Sequence, residues 1–314
     1  MVPVGPALVL LSAACFGAMA VFGKLAFAAG VPTDALVLIR FAAAALLLGA
    51  LLLLRPALRR QEGARDTRPV WPAVLIALGL GAFGYAVQAS LYFMALERLD
   101  APLVALVLYT FPVMVTVGAV LLGRERLTTA RVVALVTASL GTTLVLAGAG
   151  GLGFDTVGVV LAFGAAVTYT VYILVADTVL HRLPPVVLTT LVMTGAAAAL
   201  GLRSLVTGGV VVSFDAAGWF WIGCIVLVST VTAVLAFFAG LKRTGASTTS
   251  ILSTFEPVVS AALAAAVLGE MLSPVQIMGA VLVLGAAVIV QLRPRSERTD
   301  ADDAAAEQRL APAG

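Results

Sequence analysis

Apolar residues do not alternate with polar ones along this chain; they run in blocks of about 20 between short polar breaks. A block of that length crosses the ~30 Å hydrocarbon core of a bilayer as an α-helix, whereas the strands of an outer-membrane barrel alternate over ~10-residue segments. Read between charges, prolines and glycine clusters, the pattern predicts helices at 6–28, 33–54, 72–96, 102–123, 130–148, 156–180, 185–207, 217–241, 246–268 and 274–292. Two segments are too polar for lipid, 55–69 and 293–314, and are expected to be mobile and solvated.

Composition agrees with this picture. Of the 314 residues, 61% are hydrophobic and 11% charged, and the mean hydropathy of +1.11 excludes an ordinary soluble domain. The net charge of +3 does not point to nucleic acid, because the basic residues sit in a few loops. Placing the amino terminus in the cytoplasm puts 15 of the 19 Lys and Arg inside and leaves only Lys24, Arg40, Arg98 and Arg203 outside. That asymmetry predicts a cell-membrane protein with both termini cytoplasmic. Cys15 and Cys224 fall within apolar runs and read as small thiols rather than a disulfide framework. LSAAC near the start resembles a lipoprotein cleavage site, but no basic region precedes it, so helix one is expected to stay attached.

The two halves match without gaps at one spacing of 145 residues, the separation of Leu96 from Leu241. FMALERLDAP at 93–102 meets FAGLKRTGAS at 238–247, and Arg98, Pro112 and Glu125 meet Arg243, Pro257 and Glu270. Each half holds five spans, an odd number, so the second must cross the membrane upside down relative to the first. The fold expected is therefore an all-α polytopic membrane protein of ten transmembrane helices in two inverted five-helix repeats. These cover 5–149 and 155–292, with 293–314 a disordered cytoplasmic tail. Inverted halves can exchange conformations and open a central site to alternate sides.

CFGAMAVFGK in helix one, the arginine of LVLIRF in helix two, ALERLDAPLVALVLYTFPV, and the paired endings LLGRERLTTARVVALVTASLGTTLVLAG and VLGEMLSPVQIMGAVLVLGAAVIV together resemble the drug/metabolite transporter superfamily. The resemblance is to its ten-helix group with two EamA domains, and it covers about 5–292. It implies a carrier of amino acids, nucleosides, vitamins or other metabolites, often outward. It also implies a bundle-holding or gating role for Arg40.

Several residues are candidates for transport chemistry. Pro112 and Pro257 interrupt helices four and nine at matched positions, freeing the carbonyls of Leu108 and Ser253. Permanent kinks that only shape the bundle are the alternative. Glu256 lies about ten residues into helix nine, ~15 Å deep, and shares one stripe with Thr249, Ser253 and Ser260. It is expected to contact substrate or take up a proton, against the alternative of a structural glutamate bonded across the bundle. Arg40 lies ~10 Å below the outer surface, where pairing with Glu256 or with carbonyls would satisfy it; Lys24 is nearer the interface. Tyr85, Gln88 and Tyr92 share a face of helix three, Tyr169 and Tyr172 lie one turn apart on helix six, and Tyr109 precedes Pro112. These aromatics can line an amphipathic cavity or simply pack helices. Ser229, Thr232, Ala236 and Gly240 read as a close helix contact, and helices five and ten, with Gly141 and Gly285, as packing elements.

No GxxxxGK[ST] loop is present, so an ATP-driven pump is excluded and gradients must drive transport, with proton coupling a candidate. His181 is the single histidine and has no second ligand nearby in sequence, so neither a metal nor a cofactor is expected. The expected partners are a small-molecule solute and membrane lipid; the oligomeric state is not legible. The rival readings are a channel or scaffold, and less so a membrane-embedded enzyme, for which no catalytic constellation is found.

Overall fold

A computed structural model describes residues 4–59, 70–123, 155–179, 182–253 and 255–291, with isolated positions between 129 and 144. Among the described residues the chain is helical, without strands. Helix α1 runs Val4–Ala28, α2 Thr33–Leu54, α3 Trp71–Leu96, α4 Ala101–Leu108, α5 Phe111–Leu121 and α6 Thr156–Val179. The remainder are α7 (Pro185–Val206), α8 (Ala216–Val226), α9 (Ala233–Ser253), α10 (Phe255–Leu263) and α11 (Pro274–Gln291). Proline in the first turn, where no intrahelical donor is needed, starts α4, α7 and α11. Gly30 at φ 78° closes α1 and Gly269 at φ 71° ends the helical run after α10, conformations that disfavour a side chain.

Six of these helical runs are long and apolar enough to cross a membrane: Val4–Ala28, Thr33–Leu54, Trp71–Leu96, Thr156–Ala176, Pro185–Val206 and Ala216–Leu241. Their outer faces carry largely exposed apolar side chains, among them Leu46, Leu54, Phe83, Leu205 and Phe220. Water would penalise each such side chain by about 1.5–3 kcal/mol, whereas hydrocarbon does not. The protein is thus an integral membrane protein with several transmembrane-capable helices.

The expected helix positions agree with these bounds within one or two residues for α1, α2, α3, α6, α7 and α11, and at the start of α8. Helix four, expected over 102–123 with an interruption at Pro112, is interrupted between Leu108 and Phe111. Pro112 explains this, because it offers no N–H to the Leu108 carbonyl and its ring crowds that position. The expected helix nine is described on either side of Thr254, as the end of α9 to Ser253 and as α10 from Phe255, with Thr254 itself outside the described residues. Backbone at the turn expected at Lys242–Arg243 is helical in character, yet the chain reverses along α1 just beyond it, since Thr244 lies at Gly5 and Glu256 at Gly17. The helix expected at 130–148 lies outside the described residues apart from isolated positions, as do 60–69 and the tail from 293.

Three wide, π-helical turns have no counterpart in the apolar pattern: Leu80–Tyr85 within α3, Leu227–Thr232 between α8 and α9, and Ala264–Leu268 after α10. A π turn adds one residue to a helical turn without changing its apolar character. The spans Trp71–Leu96 and Ala216–Leu241, each with such a turn inside it, stand 145 residues apart at both ends.

Helix directions follow from which residues meet. Along α1, Gly5 lies against Arg243 and Thr244, Gly240 against Val9, and Ser12 Oγ donates to the Ala233 carbonyl at 2.8 Å, so α9 runs antiparallel to α1. Further up, Gly17 lies against Glu256 and Val259 and Lys24 pairs with Glu270, so α10 runs parallel to α1. The segment α4–α5 is antiparallel to α10, with Ala101 at Glu270 and Tyr109 at Ser253. It is parallel to α6, through Phe111 at Tyr169 and Gly118 at Leu174. Helices α1 and α6 therefore run in opposite directions. The small-residue face around Ser229 and Gly240 is a close contact with α1, and Gly141 packs on α11 at Gly279 and Val283, both as expected; Gly285 meets nothing.

Candidate functional site

Among the described residues, Arg40 and Glu256 are ionisable groups set deep among the transmembrane helices, one on each half. Arg40 of α2 is 1% exposed. Its Nε donates to Thr230 Oγ1 at 2.7 Å and its Nη2 to the Tyr85 hydroxyl at 3.1 Å. The guanidinium also stands over the rings of Phe41, Tyr85 and Phe93, at 5.1, 5.6 and 5.7 Å. The pairing expected with Glu256 or with carbonyls is replaced by hydroxyls and aromatic faces, which hold a cation without neutralising it. Thr230 lies in the π turn after α8 and its hydroxyl in turn donates to the Ile225 carbonyl at 2.9 Å, five residues back, an acceptor that the widened turn leaves open.

The second group is Glu256, in the first turn of α10. Tyr109, 2% exposed in the break between α4 and α5, places its hydroxyl 3.0 Å from Glu256 Oε2 and also on the Ser253 carbonyl. That carbonyl is the one Pro257 frees, so the phenol supplies the hydrogen bond that the helix cannot. Pro257 and Ser260 are buried, and no described cation pairs with Glu256. Two hydroxyls here lack a partner, Ser260 Oγ on the Glu256 stripe and Ser229 Oγ in the π turn beside Thr230.

An aromatic path joins the two. Phe41 meets Tyr85 with centroids 5.1 Å apart, Tyr85 meets Tyr172 at 5.5 Å, Tyr172 meets Tyr169 at 5.9 Å, Tyr169 meets Phe111 at 4.8 Å and Phe111 meets Tyr109 at 5.4 Å. Tyr85, Tyr172, Tyr169 and Tyr109 thus belong to one assembly. Gln88 and Tyr92 are buried beside it, with Tyr92 stacked edgewise on Phe93. The side chains of Thr249 and Pro112 lie outside the described residues, as does His181. Among the described residues no cluster of metal-ligating groups occurs. Cys15 and Cys224 are free thiols.

Lys24 is not at this centre. Its Nζ lies 3.4 Å from Glu270 Oε1, while Glu270 Oε2 accepts the Ala101 N–H at 2.7 Å, so one carboxylate caps α4 and ties it to α1. At the same end Thr33 bonds Glu97, and Arg98 pairs with Asp155 at 3.0 Å. The Gly158 N–H and then the Arg98 guanidinium hold the Asp155 carboxyl below its ordinary range. A cleft of about 450 Å³ opens at this end between α2, α3 and α7, with Asp34, Glu97 and Arg203 on its walls. Another, of about 260 Å³, opens sideways between α3 and α6 and is floored by Tyr172.

Thr230, Phe41, Phe93 and Phe111 were absent from the sequence-based candidates. A signal for Thr230 did exist, since it stands 145 residues from Tyr85, the spacing of the repeat, and the two equivalent residues hold Arg40 from opposite halves.

The profile of the EamA-like transporter family matches this chain twice, at residues 3–147 and 156–292. The uncharacterized transporter YcbK of Bacillus subtilis is 24% identical over 283 residues, covering 88% of each chain. The uncharacterized transporter YwfM of the same organism is 27% identical over 169 residues, 53% of this chain and 56% of that protein. A protein of known crystal structure, 22% identical, superposes with a TM-score of 0.65 over 92% of this chain and 96% of its own, a likeness of fold alone. With both halves of its sequence matched by one profile, the chain belongs to the EamA-like transporter family, as a membrane protein carrying two EamA repeats.

Proposed function

We propose that the protein is a secondary transporter that moves a small organic metabolite, such as an amino acid or related amphipathic solute, outward across the cell membrane by alternating access. The observation that carries this reading is the pair of ionisable side chains among the helices, Arg40 buried and Glu256 half-buried, joined by an aromatic path at the junction of the two halves. Ionisable groups inside a membrane bundle are expensive and mark solute or ion pathways. Aromatic walls with a few polar groups suit a solute with an apolar body and a polar end.

The site roles follow from that reading. Glu256, Ser253, Thr249, Tyr85, Gln88, Tyr92, Tyr109, Tyr169 and Tyr172 contact the solute or couple its movement to a proton, while Arg40, Lys24, Pro112 and Pro257 hold or gate the bundle. The architecture we propose is ten helices in two inverted repeats, both termini cytoplasmic. Support comes from the opposed directions of α1 and α6, the matched spacing of the two spans with internal π turns, and the basic loops on one side. The Lys24–Glu270–Ala101 contact then closes the outer end.

Counterflow in liposomes tests the reading. Preloading with a metabolite mixture is expected to give saturable, solute-specific exchange that Glu256→Gln slows at least tenfold or makes indifferent to a pH gradient. Flux that rises without saturation would identify a channel, and chemical conversion of the solute an enzyme. Comparing vesicles of the two orientations tests the outward direction.

A further inference from the structure

Tyr109 has one hydroxyl hydrogen and two oxygen neighbours, the Ser253 carbonyl and Glu256 Oε2. A carbonyl only accepts, and so does an ionised carboxylate. With Glu256 ionised, one of these two contacts would bring oxygens together with no hydrogen between them. One arrangement gives each contact a hydrogen of its own: Tyr109 donates to Ser253, and a protonated Glu256 donates to Tyr109. The regular helical donor to the Ser253 carbonyl is missing, because Pro257 has no N–H to offer it.

We propose that Glu256 carries a proton in this conformation and that Tyr109 is the positioning residue coupling that proton to the carbonyl that Pro257 frees. When the proton leaves for water on the open side, the phenol turns its hydrogen to the carboxylate, and the Ser253 carbonyl loses its donor. Protonation of one carboxyl thereby decides whether the Ser253 carbonyl is bonded to Tyr109. The inference rests on the transport role proposed for Glu256.

The groups facing Glu256 leave this exchange uncontested. Along α1, Cys15 is two residues from Gly17, which lies on Glu256, and Lys24 is held away by Glu270; on α9, Arg243 lies at Gly5 and donates to the Ala239 carbonyl at 2.8 Å. Across the aromatic path, Tyr169, Tyr92 and Tyr85 lie in electrostatic range, with Arg40 behind Tyr85 and bound to it. The α4–α5 side contributes Tyr109 alone.

Infrared difference spectroscopy of the full chain in liposomes, stepped between acidic and alkaline buffer with no solute present, tests the inference. A protonated-carboxyl stretch is expected that disappears in alkali and in Glu256→Gln. In Tyr109→Phe it moves to higher frequency, because the carboxyl has lost its acceptor. Pro257→Ala gives Ser253 a backbone donor and releases the phenol from it, so the band moves there too; this variant decides the matter if Tyr109→Phe does not fold. A Glu256 band indifferent to both replacements, or no Glu256 band, overturns the inference. Counterflow by the unmodified protein with an indifferent band sinks the coupling alone, whereas no solute exchange by the unmodified protein with a responsive band sinks the transport reading.

Discussion

Arg40 shows how a buried charge is kept without a counterion. Two hydroxyls and three ring faces surround the guanidinium, and hydrogen bonds to a charged group contribute ~1.5–3 kcal/mol each in soluble proteins, about 0.6 on average between membrane helices. Arg40→Met is therefore expected to lower the melting temperature of the detergent-solubilised protein more than Thr230→Val or Tyr85→Phe alone. A double-mutant cycle between positions 40 and 230 should return a coupling on the order of 1 kcal/mol; a coupling of zero would remove Thr230 from the account. Asp155 supports a different prediction, at the membrane edge. Its carboxyl is lowered by the Gly158 N–H and by Arg98, so its stabilisation is fully present above the ordinary carboxylate range and is lost as pH falls through the lowered value. Melting curves across pH should show wild type above Asp155→Asn at neutral pH and the two converging on acidification. A gap that does not depend on pH would mean that the carboxylate's charge is not what matters there.

At the scale of elements, the wide turns and the breaks determine which backbones can touch. Gly81, inside the π turn of α3, lies directly on the Val192 carbonyl, and Gly195 of α7 lies on the Leu78 carbonyl, so α3 and α7 cross with backbone against backbone. Neither neighbour is a flexible side chain that can move aside. Gly195→Ala and Gly81→Ala are each expected to cost about 1–3 kcal/mol of stability through overpacking. Gly223→Ala, where nothing lies nearby, should be neutral or mildly stabilising. Equal melting temperatures for all three would contradict the crossing. The outer contact makes a further element-scale prediction. Glu270 caps α4, and removing a cap costs about 1 kcal/mol. Glu270→Ala should raise labelling of a cysteine placed at Ala101 by an impermeant reagent from outside, and unchanged labelling would show that this carboxylate does not hold that end shut.

For the whole molecule, orientation is the discriminating quantity. Tags at the two ends should both be reached from the cytoplasmic side only, and a tag pair on opposite faces would break the five-plus-five reading. Much of this level was legible in the residues. Lipid leaves each backbone donor to be satisfied within its own helix, so spans such as Thr33–Leu54 and Trp71–Leu96 could be bounded from run length to within a residue or so. The polar members of the site were legible for the same reason: Arg40, Glu256 and the tyrosines are conspicuous where nearly everything else is hydrocarbon. The π turns were not, because a widened turn keeps the same apolar composition and changes only which residue faces inward. Nor were the partners of the charges. Arg40 met Thr230 and Tyr85 rather than Glu256, since contacts between helices depend on rotation and depth, which run length does not specify. The amino-acid order by itself thus determined that this is a membrane protein of repeated helical halves with two intramembrane charges. Tertiary structure alone decided that Tyr109 fills the acceptor freed by Pro257 and that aromatic rings connect the charges, because those contacts join residues that only folding brings together.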